Sequence, residues 1–331
     1  MNRARQSGRL LILLIGAGIT AVVAFVAFVE YPESLHELLG LLVAIGVTIA
    51  GIRLAGNVAG SLLPDYNVAE VEVAGPIVRD SGGMFPSSPT TTPADDIVEQ
   101  IDRADQDGNA EALMLKLNTP GGEVVPSDDI RRAAKAFDGP TVAYTNDLCA
   151  SGGMWIASGC DELWARDASL VGSIGVRFSQ TRFDEFADEY GINYERIVSG
   201  EYKDSLGAPF KALEEREREY LQGLADDWYD EFVERVAEGR DMDETAVRDT
   251  EARVYLGEDA LEMGLVDDLG DATDVEDRVE DLIGQPVSVA EFEPERRLRV
   301  RLGRMAAAIA YAFGRGVGGA VSEDGSGFEL R

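Results

Sequence analysis

The chain has 331 residues and carries 61 acidic against 30 basic side chains, which gives a formal net charge of −31. This negative charge argues against a nucleic-acid partner, because phosphate binding requires a basic surface. One histidine and two cysteines argue against zinc sites built from these residues and against a disulfide framework. Four lysines among so many carboxylates are typical of a protein from a very salty environment.

The first 63 residues are rich in apolar side chains. Residues 10–29 contain no charge and are long enough to cross a ~30 Å hydrocarbon core as a helix. Three arginines precede this run, which is too long for a signal-peptide core and lacks an A-x-A cleavage site, so we expect an uncleaved anchor. A second apolar segment, residues 38–63, is interrupted by Arg53, and it could either span the membrane or lie on it.

The connection between the two segments bears on topology. Residues 30–37 contain three glutamates and no Lys or Arg, so the positive-inside rule places the N-terminus in the cytoplasm and this loop outside. A second crossing would return the following domain to the cytoplasm, whereas a single crossing would leave it outside. The sequence therefore predicts a location at the cell membrane and leaves the side of the main domain open.

The middle of the chain alternates strand-like and helix-like patterns. Strands are predicted at residues 67–73, 112–117, 141–144, 162–165 and 194–198. A helix is expected to begin at Pro93, with Thr92 as its N-cap. Further helices are predicted at residues 126–137, 151–158, 183–190 and 212–238. Such alternation predicts an α/β domain with a mainly parallel sheet covered by helices.

Two glycine-rich turns follow predicted strands. One is N-T-P-G-G at residues 118–122, and the other is C-A-S-G-G at residues 149–153. A helix N-terminus offers unpaired N–H groups, and two facing turns could form an oxyanion hole for a tetrahedral acyl intermediate. Ser151 is placed to act as a nucleophile, although a serine at this position is also a common helix N-cap.

A serine nucleophile requires a base. His36 lies between the two apolar segments, far in sequence from this core, which removes a Ser-His-Asp arrangement. A lysine can serve as the base when burial keeps it neutral. Lys203 is the favoured candidate because it lies in a loop after a predicted strand, where functional residues are common. Asp204 would favour the charged amine, so we expect this carboxylate to pair elsewhere.

Residues 68–270 resemble the signal peptide peptidase family SppA. The resemblance rests on T-P-G-G at 119–122, A-S-G-G at 150–153, G-S-I-G-V at 172–176, S-G-E-Y-K-D at 199–204 and a closing segment at 255–270. Members of this family are membrane-bound serine proteases with a ClpP/crotonase-like fold of repeated β-β-α units. Ser151 and Lys203 are 52 residues apart, a spacing that suits the short-chain members.

The resemblance implies a role for each residue that matches a family motif. Ser151 would be the nucleophile and Lys203 the general base, while Ser173 would orient the lysine amine. The N–H groups of Gly122 and Gly152 would bind the oxyanion. The resemblance implies no metal and no cofactor, and it implies a homo-oligomeric ring in which neighbouring subunits complete the dyad.

Together these features predict three regions. Residues 1–63 would be a membrane anchor of one or two transmembrane helices, 64–290 the protease domain, and 291–331 a basic, interfacial helix followed by a disordered tail. We expect a membrane-anchored Ser-Lys endopeptidase, from a halophilic archaeon, that contacts lipid and hydrolyses signal-peptide remnants or other membrane-associated peptides. The alternatives are a membrane protease acting on scaffold proteins, a crotonase-type acyl-CoA enzyme, and an inactive membrane scaffold.

Overall fold

A computed structural model describes residues 3–28, 46–53, 55, 65–79 and 93–294. The predicted C-terminal interfacial helix and tail, apart from residues 291–294, and the loop that carries His36 lie outside the described residues. The helices are α1 (Arg3–Phe28), α2 (46–53), α3 (Ala94–Gln106), α4 (Val124–Ala136), α5 (Gly152–Ala157), α6 (Asp184–Glu189), α7 (Glu215–Arg240), α8 (Glu244–Arg248), α9 (Gly257–Glu262) and α10 (Ala272–Ile283). The strands are β1 (Val68–Ala74), β2 (Ala112–Asn118), β3 (Thr141–Thr145), β4 (Leu148–Ala150), β5 (Glu162–Ala165), β6 (Leu170–Gly172), β7 (Val254–Leu256), β8 (Asp268–Leu269) and β9 (Val289–Glu291).

The main sheet is parallel throughout, as the alternating pattern predicts. Within the described residues it has six strands in the order β8-β5-β3-β2-β1-β9. The central pair β1 and β2 is in register from Val68 opposite Ala112 to Ala74 opposite Asn118. Helices α3 and α4 provide the crossovers between β1, β2 and β3, as parallel strands require.

Both faces of the main sheet are covered. On one face, Leu113, Leu115 and Leu117 of β2 join a buried cluster that also contains residues of α3, α4, α5 and α7. On the other face, Ala112 and Met114 of the same strand join a smaller cluster with residues of α10. This alternation along β2 is the period-two pattern of a strand buried on both sides.

A second, smaller sheet carries the glycine-rich turn at Ser151. Strands β4 and β6 pair in parallel, and β7 pairs with β6 in the antiparallel direction. An isolated bridge between Thr119 and Cys149 connects the end of β2 to β4. The two predicted glycine turns therefore lie side by side where the two sheets meet.

Two sequence-based predictions of secondary structure are wrong. The segment 194–198 forms no strand, because its backbone pairs with no neighbouring strand within the described residues and all its side chains are exposed. Helix α3 begins at Ala94, with Pro93 rather than Thr92 in the N-cap position. The Pro93 backbone is extended, with ψ of 145°, so this residue precedes the helix instead of opening it.

The N-terminal helices α1 and α2 contact each other through small residues. A Cβ added at Gly16 would collide with the Ala55 methyl group, and one added at Gly51 would collide with the Thr20 side chain. Residue 16 lies against residue 55, just after α2, and residue 20 lies against residue 51 within α2. The residue numbers rise along α1 as they fall along the second segment, so the two helices are antiparallel. Within the described part of the chain, no helix meets the combined requirements of length and apolar character for a bilayer span.

Candidate active site

Ser151 occupies a strained turn between β4 and α5. Its backbone has φ of 53° and ψ of −116°, which is a costly conformation for a residue with a Cβ. The Ser151 N–H donates to Gly172 O at 2.9 Å, and its carbonyl accepts from Trp155 N at 3.1 Å, which starts the helix. A serine on a sharp strand-to-helix turn is the arrangement that exposes a nucleophilic Oγ in hydrolases.

Ser173 directly follows the neighbouring strand β6 and lies next to this turn. Ala150 of β4 is paired with Gly172 of β6, so Ser151 and Ser173 are the residues that follow directly in two adjacent parallel strands. The Ser173 backbone also has a positive φ, of 55°, and its N–H donates to Arg253 O at 2.8 Å. The fold thus brings these two predicted site residues together, and both are half-buried.

Gly121 brings the first glycine turn against Ser151. Its φ is 87°, and a Cβ added there would overlap the Gly152 nitrogen and lie 2.7 Å from the Ser151 Cβ. The turn is held by Thr119, whose Oγ1 donates to Gly75 O at 2.6 Å and accepts from Gly121 N at 3.0 Å. Sequence reasoning missed Gly121, although the third position of T-P-G-G was the available signal.

The two amides proposed for an oxyanion hole are both available as donors. Within the described residues, neither the Gly122 nor the Gly152 N–H donates a hydrogen bond. Ile77 fixes the chain on either side of Gly122, because its N–H donates to Gly121 O at 3.0 Å and its carbonyl accepts from Glu123 N at 2.9 Å. Two free N–H groups beside a helix N-terminus can stabilise a developing negative charge.

Lys203 stands apart from this cluster. It is exposed in an irregular loop, and in the described chain no hydrogen bond joins it to Ser151 or Ser173. The neighbouring Asp204 forms ion pairs with Arg196 and Lys211, which confirms that this carboxylate pairs elsewhere. A single chain therefore assembles the predicted nucleophile, its neighbouring serine and the two amides, but not the lysine contact.

The cysteine beside the serine is not a competing nucleophile. Cys149 is fully buried, its Sγ lies 3.8 Å from Met154 Sδ, and burial raises the pKa of its thiol to about 12. A thiol of this kind is almost entirely protonated at neutral pH and unreactive. Ser151 is consequently the candidate nucleophile of this turn.

Comparison with known proteins agrees with a peptide-cleaving enzyme. Residues 133–285 match the model of peptidase family S49. The chain is 30% identical over 299 residues to a protein of Methanocaldococcus jannaschii named as a protease, covering 86% of this chain and 94% of that protein. It is 29% identical over 211 residues to the chloroplastic serine protease SPPA of Arabidopsis thaliana, covering 61% of this chain and 30% of that protein.

Among solved structures, the chain is similar to a mutant of the 1510-N membrane-bound stomatin-specific protease. The TM-score is 0.44 at 16% sequence identity, and the match covers 69% of this chain and 99% of that one. The parallel sheet and the strained serine turn, together with the family matches, define a serine-type peptidase. The chain belongs to peptidase family S49.

Proposed function

We propose that the protein is a membrane-anchored endopeptidase that hydrolyses signal-peptide remnants or other membrane-associated peptides with a Ser-Lys dyad. The observation that carries the proposal is the convergence of Ser151, Ser173 and the free amides of Gly122 and Gly152 at one junction of two sheets. This arrangement supplies a nucleophile, a hydroxyl able to orient an amine, and two donors for an oxyanion.

The proposed reaction begins when the neutral Lys203 amine removes the proton from Ser151 Oγ. The oxygen attacks the scissile carbonyl, and the amides of Gly122 and Gly152 stabilise the resulting oxyanion. The lysine then gives its proton to the leaving amine as the carbon–nitrogen bond breaks. The same amine then deprotonates a water molecule, which attacks the acyl-enzyme, and the lysine returns this proton to Ser151 Oγ as the ester bond breaks.

The lysine is proposed to come from a neighbouring subunit of a homo-oligomer. In the described chain Lys203 is exposed and no hydrogen bond joins it to Ser151, whereas a base must lie within hydrogen-bond reach. The loop that carries it and the preceding helix α6 expose many apolar side chains, including that of Ile197, which is 95% exposed. The exposed set comprises Phe183, Phe186, Tyr190, Ile192, Tyr194, Ile197, Val198, Tyr202, Leu206 and Phe210. An apolar surface of this kind is typical of a protein interface, and its burial would also desolvate the lysine.

The N-terminal region, residues 1–63, is proposed as the membrane anchor. The antiparallel contact of α1 with α2 through Gly16 and Gly51 supports a helical hairpin, since small residues permit close helix packing in lipid. The catalytic domain, residues 64–290, would then lie on the same side of the membrane as the N-terminus. Residues 291–331 would add a basic contact with lipid, and the acidic composition supports a halophilic archaeal source.

The test is peptide cleavage by the full-length protein in detergent and high salt, with synthetic signal peptides as substrates. Ser151→Ala and Lys203→Ala should each remove activity, and the double variant should be as inactive as either single variant, because residues that act as a unit give non-additive losses. Lys135→Ala, which removes an exposed lysine paired with Glu238, is the control and should retain activity. Substantial cleavage by either single variant would refute the dyad.

A further inference from the structure

A buried carboxylate at the start of α7 has no part in the proposed reaction. The Glu217 side chain has no exposed surface. One of its oxygens, Oε1, pairs with Lys211 and lies 3.3 Å from Ser205 Oγ, while Oε2 accepts the Glu214 N–H at 3.0 Å. Burying a carboxylate is costly unless it is paired and hydrogen-bonded, so each of these contacts is needed to keep the charge in place.

Lys211 connects this carboxylate to the loop of the proposed base. Its side chain is only 12% exposed, and its amine lies 3.3 Å from Asp204 Oδ1 as well as contacting Glu217. Asp204, itself 16% exposed, also pairs with Arg196. Both residues that follow Lys203, namely Asp204 and Ser205, are thus tied through side chains to the first turn of α7.

The loop that carries Lys203 is held mainly by side chains. Besides the clamp contacts, Glu201 pairs with Arg216 of α7, and the Tyr202 and Tyr220 rings lie 5.0 Å apart between centroids. Residues 191–213 form no helix or strand, and the Lys203 turn itself contains two weak backbone bonds, from Lys203 N to Gly200 O at 3.3 Å and from Ser205 N to Tyr202 O at 3.2 Å. A general base must be held close to the proton that it removes, and a displacement of about 1 Å can cost about 100-fold in rate. Lys211 and Glu217 form a far more buried ion pair than Glu201 and Arg216, with side chains 12% and 0% exposed against 57% and 49%, so solvent screens their contact less.

We infer that Lys211 and Glu217, with Asp204, form a clamp that positions Lys203, so that Lys211 and Glu217 are positioning residues for the peptidase reaction. The inference rests on the proposed function. Lys211 also neutralises the carboxylate that directly follows the proposed base. Without Lys211, Arg196 would be the one ion-pair partner left to Asp204 among the described residues, and the charge of Asp204 would favour the protonated, inactive form of a nearby amine more strongly.

The chain offers a matched control for this clamp. Lys135 and Glu238 form another Lys-Glu pair that uses α7, at 2.7 Å, but their side chains are 53% and 54% exposed. Exposed pairs of this kind contribute little and are screened by salt. Matching substitutions in the Lys211–Glu217 pair and in the Lys135–Glu238 pair therefore compare a buried ion pair next to the Lys203 loop with an exposed ion pair elsewhere.

The experiment measures kcat and KM for signal-peptide cleavage by full-length Lys211→Met, Lys211→Arg and Glu217→Gln, beside Lys135→Met and Glu238→Gln. We expect Lys211→Met and Glu217→Gln to lower kcat by about 10- to 100-fold with KM changed less than about twofold. Lys211→Arg, which keeps the positive charge, should recover most of kcat. Both control variants should stay within about twofold of the unmodified enzyme.

Folding and assembly are checked by circular dichroism and light scattering. If Glu217→Gln does not fold, Lys211→Met and its rescue by Lys211→Arg decide the question, because Lys211 is less buried than Glu217. The inference is overturned if kcat is unchanged in the clamp variants, or if kcat falls only in proportion to a loss of assembly. Either result leaves the proposed function standing as long as Ser151→Ala and Lys203→Ala remain inactive. Activity in those two variants would instead contradict the proposed function.

Discussion

Both serines of the candidate site have a strained backbone. Ser151 and Ser173 have positive φ values of 53° and 55°, a conformation that costs about 1–3 kcal/mol per residue. The hydrogen bond from Ser151 N to Gly172 O and the one from Ser173 N to Arg253 O hold both turns in this geometry. Because these bonds use backbone atoms alone, replacing either serine by alanine should leave the turns intact.

Gly121 provides a test of how closely the two turns must approach. Gly121→Ala should reduce cleavage at least about 100-fold, because the new methyl group would collide with the Gly152 amide and press on Ser151. Gly284→Ala is the matched control, since Gly284 has a similar φ of 70° but open space around it. It should cost about 1 kcal/mol in the free energy of unfolding and leave kcat/KM unchanged. Thermal melting and peptide assays of both variants separate strain from collision, and equal activities would contradict the close approach.

The secondary elements were predictable where local pattern and tertiary environment agree. The strand at 162–165 has the predicted bounds, and α5 and α6 lie within the predicted helical segments. The segment 194–198 was mispredicted because its apolar residues face outward instead of toward a neighbouring strand. Apolar alternation predicts a surface that will be buried, but it does not say whether a sheet or another molecule buries it.

The candidate site was predictable as a set of residues but not as an arrangement. The glycine motifs predicted two helix N-termini and placed Ser151 at one of them, whereas the amides of Gly122 and Gly152 were assigned by the family resemblance. The adjacency of Ser151 and Ser173 depends on the register of β4 and β6, which no local spacing encodes. Lys211 escaped notice for the same reason, since its importance comes from a carboxylate that the fold buries.

Helix α10 is attached to strand β5 of the main sheet by an acid-sensitive contact. Arg278 donates to both oxygens of Glu162 on β5, at distances of 2.6–3.1 Å, and this hydrogen bonding lowers the pKa of the Glu162 carboxyl. A carboxyl whose pKa is lower in the folded state stabilises the protein fully when the pH is above its unfolded-state pKa of about 4.3. This stabilisation is lost as the pH falls through the folded-state pKa.

Glu162→Gln should therefore lower Tm by a constant amount above about pH 5, and the difference from the unmodified protein should vanish in stronger acid. The measurement is Tm against pH from 7 to 3 at constant high salt. Glu238→Gln, which removes an exposed carboxylate that also has a lowered pKa, is the control and should show a smaller effect because solvent screens the exposed pair. A Tm difference for Glu162→Gln that persists at pH 3 would contradict the linkage.

The antiparallel contact of α1 and α2 leads to a prediction about topology. If this pair forms a membrane hairpin, the catalytic domain faces the cytoplasm together with the N-terminus. The native cysteines, Cys149 and Cys160, are buried, so Glu234→Cys on the exposed face of α7 would supply a single reactive reporter. A membrane-impermeant maleimide should label it only in permeabilised cells, and labelling in intact cells would refute the hairpin.

At the scale of the whole molecule, charge and exposed apolar surface oppose each other. A net charge of −31 makes copies of the chain repel one another, while the apolar loop around Ile197 favours their association. High salt screens the repulsion, because the Debye length falls to about 3 Å at 1 M, and leaves apolar burial in force. Assembly, and any activity that depends on it, should consequently increase with salt concentration.

A dyad shared between subunits makes a quantitative prediction for mixed assemblies. Ser151→Ala subunits keep Lys203, and Lys203→Ala subunits keep Ser151, so neither homogeneous assembly contains a complete site. The two variants are dissociated in low salt, mixed in equal amounts and reassembled in high salt. A site is then complete where a Lys203→Ala subunit, which supplies Ser151, lies beside a Ser151→Ala subunit, which supplies Lys203. Random mixing of a closed ring places about a quarter of the sites in this state, so about a quarter of the unmodified activity should return.

Mixed assembly is verified with differently tagged subunits. Each variant dissociated and reassembled alone is the negative control. Mixed rings without activity would show that Lys203 must reach the Ser151 of its own chain.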